Sequence, residues 1–216
     1  MLHLGLDKSS GGPLTILCLG AHSDDIEIGC GGTILRLLCE YPDSIVHWVV
    51  FSAVAVRGDE ARRAAPLFAG DNLKTLLTKE LRDGFMPFVG SDVKLIFESE
   101  LKSLSPDLIF THSRSDAHQD HRLISELTWN TFRNHFTLEY EIPKYDGDLG
   151  QPNLYVPLDG GICKKKVDLI GEAFASQRAK HWFTPELFVS LMRLRGMECV
   201  APSGYAEAFY CRKVVL

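Results

Sequence analysis

The apolar run LTILCLG at residues 14–20 ends in a glycine and is followed at once by the polar run AHSDDIE at residues 21–27. A short apolar run bounded by a glycine is typical of a buried strand in a parallel sheet. In open parallel sheets, ligands bind just beyond the carboxyl ends of the strands. The junction of the two runs therefore predicts an α/β fold and also the edge of the sheet at which chemistry takes place.

Strand-like and helix-like segments continue to alternate after this junction. Runs rich in apolar and β-branched residues predict strands, and the segments between them have the spacing of amphipathic helices. Strands are expected at 14–20, 45–56, 73–81 and 108–112, and helices at 34–38, 59–68, 92–104 and 122–135. Only 73–81 is ambiguous, and it is assigned as a strand because the alternation requires one there. The pattern predicts a Rossmann-like α/β fold, with a mostly parallel sheet and helices on both faces.

The remainder of the chain breaks this alternation. Residues 140–157 are rich in proline and glycine and predict a long ordered loop, a kind of segment that is often functional. Residues 164–216 are expected to supply the C-terminal part of the fold: helices at 165–177 and 185–195, and a closing strand at 208–215. Because no linker-like stretch interrupts the chain, we expect a single domain over residues 1–216.

The composition excludes several classes of protein. The 216 residues are 45% hydrophobic and 24% charged, which is ordinary for a globular protein and argues against disordered and coiled-coil classes. A formal net charge of −5 without a basic run argues against a nucleic-acid partner. No apolar run approaches the length of a membrane span, and no secretory signal is predicted. The six scattered cysteines fit a reducing compartment, so we expect a cytoplasmic protein.

The first of two ligand-rich clusters directly follows the first predicted strand and contains His22, Asp24 and Asp25. A histidine and a carboxylate three residues apart on a tight turn can reach one metal ion. Adjacent aspartates should point in different directions, so one can bind the metal while the other acts as a general base on water. Taken alone, the pattern also has simpler explanations, because aspartates cap helices and are usually solvated.

The second cluster, His118-Gln119-Asp120-His121, follows the strand expected at 108–112. If His121 completes a site of two histidines and one carboxylate, a fourth position stays open for water, as catalytic zinc sites require. His118 could then donate a hydrogen bond or a proton to the substrate. Asp120 could act in the second shell by holding a histidine ring in one tautomer. Two such clusters at strand ends of one sheet favour a metal site.

Two further features have less specific interpretations. The glycine-rich segment GCGG at residues 29–32 could be a phosphate-binding turn before a helix. It lacks the G-x-G-x-x-G spacing, so close packing of a helix on a strand is the favoured role. His112, at the end of a predicted strand, fits a position behind a metal ligand and a position in the core equally well.

The two clusters resemble the LmbE-like family, which includes the N-acetylglucosaminyl-phosphatidylinositol de-N-acetylases (PIG-L) and the deacetylases of mycothiol and bacillithiol synthesis. The resemblance extends over almost the whole chain. The segments that carry it are AHSDDIE at 21–27, GCGGT at 29–33, PDLI at 106–109, HQDHR at 118–122 and YAEAF at 205–209.

This resemblance implies a zinc-dependent N-deacetylase that acts on an N-acetylglucosamine unit of a small amino sugar or glycoconjugate. By motif, it implies that His22, Asp25 and His121 are the zinc ligands and that Asp24 is the general base. It implies that His118 steadies the oxyanion or protonates the leaving amine. Zinc is the expected cofactor, although another divalent ion could take its place.

The resemblance also suggests substrate contacts. Arg57, Asp83 and Met86 resemble sugar-contacting segments of the family. Asp116 stands where some members have a tyrosine that helps to stabilise the oxyanion. The long proline- and glycine-rich loop has no evident counterpart. Its Tyr145 could line the substrate pocket, or the loop could be an arm that packs on a neighbouring subunit of a homo-oligomer.

Two alternatives to a sugar deacetylase remain. The same metal site could cleave a non-sugar amide or a thiol conjugate. A metal-free module that binds a sugar or nucleotide without turnover is a third interpretation. The presence of His22, Asp24, Asp25 and His121 together argues against the third, since a decayed enzyme usually loses its base or a metal ligand first.

Overall fold

The computed structural model describes residues 5–6 and 12–215. Most of the N-terminal segment 1–13, for which the sequence predicts no secretory signal, lies outside the described residues. The strands are β1 Thr15–His22, β2 Ile45–Ser52, β3 Leu73–Thr78, β4 Leu108–His112, β5 Phe136–Tyr140, β6 Leu154–Leu158 and β7 Tyr205–Cys211. The helices are α1 Asp25–Glu40, α2 Ala55–Ala69, α3 Gly90–Ile96, α4 Gln119–Thr131, α5 Gly160–Ala173 and α6 Pro185–Glu198.

All seven strands belong to one sheet in the order β3-β2-β1-β4-β5-β7-β6. Strands β3, β2, β1, β4 and β5 run parallel to one another, whereas β7 pairs antiparallel with β5 and with β6. The predicted mostly parallel sheet is therefore confirmed. The antiparallel part lies at one edge and is built from the C-terminal part of the chain.

Strand β1 shows why the sheet is covered on both faces. Its residues Ile16 and Cys18 point into one apolar cluster, whereas Leu17 and Leu19 point into the other, and all four are fully buried. The first cluster also receives side chains from α1, α2, α5 and α6, and the second from α3 and α4. A strand buried on both faces needs a continuous apolar run rather than an alternating one, which is what its sequence supplies.

Helix α1 begins at Asp25, nine residues before the start predicted from the sequence. The glycine-rich segment 29–32 therefore lies inside a helix and does not form a phosphate-binding turn. A β-carbon at Gly29 would collide with the Tyr140 ring, and one at Gly31 would collide with the Phe68 ring. The glycines allow close packing of α1, as the sequence predicts.

The C-terminal part differs from the prediction more than the parallel part does. Residues 154–158 form β6, so the loop predicted over 140–157 is confined to 141–153, and β5 was not expected. Pro157 suggested a loop, but proline is tolerated in a strand at the edge of a sheet, and β6 is an edge strand. Among the described residues, every helix is too short or too polar to cross a membrane.

Candidate active site

The site lies at the carboxyl ends of two neighbouring strands, β1 and β4. His22 is the last residue of β1, and Asp25 is the first residue of α1. Strand β4 ends at His112, and α4 begins at Gln119, so His121 lies in the first turn of that helix. Because β1 and β4 pair in parallel, the loops that follow them meet at one edge of the sheet. The structure thus brings the two clusters together.

Three side chains of these clusters direct electron-pair donors toward one another. His22 Nδ1 lies 3.3 Å from Asp25 Oδ2 and 3.1 Å from His121 Nε2, and the latter two atoms are 3.5 Å apart. Tetrahedral ligands about 2.0–2.1 Å from a zinc ion lie about 3.3 Å from one another. Two imidazoles and one carboxylate are also donors that zinc accepts. These three residues therefore fit a divalent metal ion such as zinc.

Each histidine of this triad has its second ring nitrogen against a carboxylate. His22 Nε2 lies 3.0 Å from Asp83 Oδ1 and 3.3 Å from Asp120 Oδ2. His121 Nδ1 lies 2.9 Å from Asp116 Oδ2. Such carboxylates fix the orientation and tautomer of a metal-binding histidine. Sequence reasoning noticed Asp116 only as a departure from a family tyrosine and missed its position behind His121.

Asp120 also anchors the loop that follows β3. Its carboxylate accepts hydrogen bonds from the backbone N–H groups of Gly84, at 2.7 Å, and Met86, at 3.1 Å. The Met86 side chain is fully buried in the apolar cluster under this edge of the sheet. The Met86 side chain thus packs in the core and its backbone holds Asp120, so its predicted role as a substrate contact is not carried into the proposal below.

The two adjacent aspartates have opposite electrostatic environments. Burial raises the pKa of Asp24, although Arg57 Nη2, 2.8 Å from Asp24 Oδ1, opposes the change. Burial also opposes ionisation of Asp25, but the nearby rings of His121, His112 and His22 hold its pKa well below its ordinary value. Neighbouring carboxyl groups whose pKa values are pushed apart are typical of sites that divide acid, base and ligand roles.

His118 occupies the N-cap of α4, above the triad. Its ring centroid lies 4.9 Å from that of His22 and 4.6 Å from that of His121. Its Nδ1 accepts the backbone N–H of Asp120 at 3.3 Å. Burial, followed by the nearby His121 and His22, lowers the pKa of His118 below its ordinary value. The ring is partly exposed and can approach both the triad and a bound substrate.

His112 lies below the triad and is fully buried. Its Nε2 lies 3.2 Å from Asp25 Oδ2, but the same nitrogen accepts the backbone N–H of Ala21 at 2.9 Å. Burial lowers the pKa of His112 to about 4, so the ring stays neutral near pH 7. The structure thus combines the two interpretations that the sequence left open, because His112 is a core residue that contacts Asp25.

The polar residues at the mouth of the site come from the first turn of α2, which follows β2, and from the loop after β3. Arg57 bridges Asp24 and Asp83, with its Nη1 at 3.4 Å from Asp83 Oδ2. The Arg57 and Asp83 side chains are 25% and 55% exposed, so both can reach a ligand from solvent. Of these two predicted substrate contacts, Asp83 reaches His22 of the triad, and Arg57 reaches Asp24 beside it.

The 141–153 loop approaches the site through a residue that the sequence did not single out. Lys144 Nζ lies 3.0 Å from Asp116 Oδ2 and 2.6 Å from Asp148 Oδ2. Tyr145, the residue expected to line the pocket, is 73% exposed, and its ring packs with that of His181. Within the described part of the chain, no contact recorded for Tyr145 reaches the triad.

Comparison with known proteins identifies the family of the chain. Residues 17–132, from β1 to the end of α4, match the family model described as "PIG-L: GlcNAc-PI de-N-acetylase". The chain belongs to the PIG-L family. The matched PIG-L segment contains both ligand-rich clusters, Arg57 and the 83–86 loop. The family resemblance inferred from the motifs is confirmed.

Solved structures share the PIG-L fold at low sequence identity. N,N'-diacetylchitobiose deacetylase from Pyrococcus horikoshii is 21% identical, with 92% of this chain and 83% of that chain covered and a TM-score of 0.70. A zinc-inhibited form of the teicoplanin deacetylase Orf2 is 13% identical, with 91% and 97% covered and a TM-score of 0.67. GalB from Pseudomonas putida KT2440, a 4-carboxy-2-hydroxymuconate hydratase, is 17% identical, with 94% and 98% covered and a TM-score of 0.68. Since one fold carries deacetylases and a hydratase, the reaction must be argued from the site.

Proposed function

We propose that this PIG-L protein is a zinc-dependent N-deacetylase that hydrolyses the acetamide of an N-acetylglucosamine-type substrate, a small amino sugar or glycoconjugate. The observation that carries the proposal is the convergence of His22 Nδ1, Asp25 Oδ2 and His121 Nε2 at metal-ligand spacing, beside the Asp24 carboxyl group. The family description and the deacetylases among the structural neighbours support deacetylation.

His22, Asp25 and His121 would hold the metal, with Asp116 and Asp120 fixing the two rings from behind. When bound, a zinc ion supplies Lewis acidity toward water and toward a carbonyl oxygen. The protein residues then supply the proton transfers and the orientation of the substrate.

Asp24 accepts a proton from water as the water oxygen attacks the acetamide carbonyl carbon. A base works best when its pKa lies near the working pH, and burial moves the pKa of Asp24 upward toward that range. Arg57 fixes the carboxyl group through Oδ1. His118 stabilises the charge that develops on the carbonyl oxygen. The C–N bond then breaks, and the amine leaves with a proton from Asp24 or His118, which gives acetate and a free amino sugar.

Arg57 and Asp83 are the proposed sugar contacts, because they lie at the mouth of the site with partly exposed polar ends. An ion pair at this position can exchange its mutual contact for hydroxyl groups of a sugar. Tyr145 is not included, since its ring faces His181. The proposed partner is therefore a small molecule whose polar ring binds above the triad.

The test is a metal analysis joined to a substrate panel. The wild-type protein should hold one divalent ion and release acetate and free amine from N-acetylated sugars. Asp24→Asn should keep the ion but lose about 10²- to 10⁴-fold in rate, whereas His121→Ala should lose both. A wild-type protein without a stoichiometric metal contradicts the proposal. Turnover of only non-sugar amides, thiol conjugates or hydratase substrates would contradict the substrate assignment alone.

A further inference from the structure

We propose that Gln119 is a positioning residue for the substrate: its side chain holds the turn that carries Asp83, and this hold sets how tightly the site binds a sugar. Gln119 lies between His118 and Asp120 in the second ligand-rich cluster but takes no part in the proposed proton transfers or in metal binding. The hold on the turn stands on the geometry alone. Its effect on the substrate rests on the proposed function, because only there is Asp83 a sugar contact.

The turn that carries Asp83 follows β3 and leaves most of its residues exposed. A hydrogen bond of 3.1 Å from the Phe85 N–H group to the Arg82 carbonyl oxygen closes it. Gly84 has a φ of +77°, in the left-handed region that glycine adopts without strain. Because Arg82, Asp83 and Phe85 are exposed, packing against the core does not fix this part of the turn. Its position depends on hydrogen bonds to its inner side.

Two adjacent residues at the start of α4 supply these hydrogen bonds. The Asp120 carboxylate accepts the N–H groups of Gly84, at 2.7 Å, and Met86, at 3.1 Å. Gln119 Nε2 donates to the Gly84 carbonyl oxygen. Both backbone polar groups of Gly84, the residue after Asp83, are therefore bound to one helix end. The two bonds to Asp120 converge on a single carboxylate, so the bond from Gln119, which comes from a separate point, resists rotation of the turn about that carboxylate.

The two anchors differ in what else they support. Asp120 Oδ2 lies 3.3 Å from His22 Nε2, so Asp120 supports the proposed metal centre as well as the turn. The hydrogen bond of the Gln119 side chain goes to the turn, and among the residues that the structure describes no hydrogen bond or ion pair joins that side chain to the triad. Gln119 is therefore the anchor through which the sugar contact can be altered while the metal ligands stay in place.

A turn that moves weakens the binding of the substrate. The sugar would have to order the turn on binding, and that loss of conformational freedom lowers the affinity. A turn that Gln119 already holds presents the Asp83 carboxylate in place, 3.4 Å from Arg57 Nη1. The sugar contact is made both before and during the reaction, so weakening it should raise KM and leave kcat near the wild-type value.

Amide hydrogen exchange in the metal-free protein, followed by NMR, tests the hold on the turn. Gln119→Met keeps a side chain of similar length but has no donor. The N–H groups of Gly84 and Met86 should then exchange about 3- to 10-fold faster, as expected for the loss of one hydrogen bond. Gln151→Met changes an exposed glutamine of the 141–153 loop and is the matched control, with wild-type exchange expected. Unchanged exchange in Gln119→Met overturns the proposal.

Kinetics with an N-acetylated sugar test the effect on the substrate. Gln119→Met should raise KM by about 3- to 10-fold and keep the wild-type kcat, whereas Gln151→Met should change neither. Zinc affinity, measured by competition with a chelator, should stay at the wild-type value in both variants, because Asp120 still supports His22. A lower kcat at unchanged KM, or a loss of zinc affinity, would mean that Gln119 acts on the reacting groups or on the metal centre, and the proposal would be wrong.

A double variant tests whether Gln119 acts through Asp83. Asp83→Ala removes the sugar contact that the turn presents, so it should raise KM by itself. If the role of Gln119 is to position that contact, Asp83→Ala/Gln119→Met should have the same KM as Asp83→Ala, because substitutions that act through one contact are not additive. A further rise in KM equal to that of Gln119→Met alone would show that Gln119 reaches the substrate by another route and would overturn the proposal.

The outcomes separate this inference from the proposed function. A wild-type protein that hydrolyses no N-acetylated sugar contradicts the proposed function, and the sugar-binding role of Gln119 is then wrong with it, whereas the exchange rates still decide whether Gln119 holds the turn. An active wild-type enzyme whose Gln119→Met variant exchanges faster but keeps its KM overturns the positioning role alone.

Discussion

Two regions of this PIG-L chain bury charged groups, and they do so in opposite ways. One is the triad of His22, Asp25 and His121 at the carboxyl edge of the sheet. The other is the ion pair of Lys166 on α5 and Glu207 on β7, in which both side chains are less than 5% exposed. Burial of charge is costly in both places, so each arrangement needs a compensating partner.

In the ion pair, the compensation comes entirely from the protein. Lys166 Nζ lies 2.6 Å from Glu207 Oε1 and donates a hydrogen bond to the carbonyl oxygen of Ile28 at 2.6 Å. The Glu207 carboxylate accepts the backbone N–H groups of Gly32, at 2.8 Å, and Thr33, at 2.6 Å. Opposite charges and matched donors and acceptors close this network, which ties β7 and α5 to the middle of α1.

In the triad, the histidine rings lower the pKa of Asp25, but the donor atoms that face one another also leave room for a cation, which the proposed function supplies. Two ring nitrogens and a carboxylate oxygen face one another at 3.1–3.5 Å, and all three can act as electron-pair donors. The comparison offers a physical criterion to test: buried charges that satisfy one another stabilise a fold, whereas converging lone pairs suit a bound cation. Four predictions test it, in order of decreasing effect.

The largest effect is expected when one partner of the ion pair is removed. Glu207→Gln leaves the Lys166 ammonium buried without its counter-ion, which should lower the free energy of unfolding by about 3–5 kcal/mol. Urea unfolding measures the change. The double variant Lys166→Met/Glu207→Leu should lose less, because replacement of a whole buried pair by apolar groups is often neutral. If the double variant were as unstable as Glu207→Gln, the interpretation that the Lys166–Glu207 pair serves only to stabilise the fold would be wrong.

Asp116→Asn should act on metal affinity. The amide cannot accept the His121 Nδ1 proton as a carboxylate does, so zinc binding should weaken by about 10- to 100-fold. Competition with a chelator measures the affinity. Glu207→Gln, once folded, is the control and should bind zinc as the wild-type protein does. Equal losses of zinc affinity in the two variants would contradict the idea that the triad binds a metal and the ion pair only stabilises the fold.

Asp116 also shows where sequence reasoning succeeds and where it stops. His22 and Asp25 could be predicted because they follow a recognisable strand within five residues, and His121 because it shares a short motif with His118. Four of the five parallel strands, β1 to β4, were predictable for the same local reason: apolar runs alternate with amphipathic helices.

The contacts that join distant segments could not be predicted in this way. Lys144 meets Asp116 because β5 pairs with β4, with Tyr140 beside His112, so that the loops following both strands lie at one edge. Since β5 was not recognised, its loop could not be assigned to the site. Glu207 was recognised only within a family segment, and its contact with α1 depends on the position of β7 in the sheet.

Lys144→Met should have a smaller effect than Asp116→Asn. It removes the ammonium between Asp116 and Asp148 but keeps the bond from Asp116 to His121, so zinc affinity should fall by no more than about tenfold. Chelator competition measures this change as well. Lys164→Met removes an exposed lysine that pairs with Asp168 on the surface of α5, and it should leave zinc affinity unchanged. If Lys144→Met bound zinc as tightly as that control, the 141–153 loop would have no role in support of the proposed metal centre.

The smallest effect is expected on the outer side of the same loop. Tyr145 is 73% exposed, and its hydroxyl meets His181 Nδ1 at only 3.5 Å. Tyr145→Phe should change the free energy of unfolding by less than about 0.5 kcal/mol, as surface substitutions usually do, and leave both zinc affinity and KM near their wild-type values. Because Lys144 points inward and Tyr145 outward, these two results together would assign the loop to support of the proposed metal centre. A tenfold rise in KM for Tyr145→Phe would instead mean that Tyr145 contacts the substrate. The loop would then take part in sugar recognition.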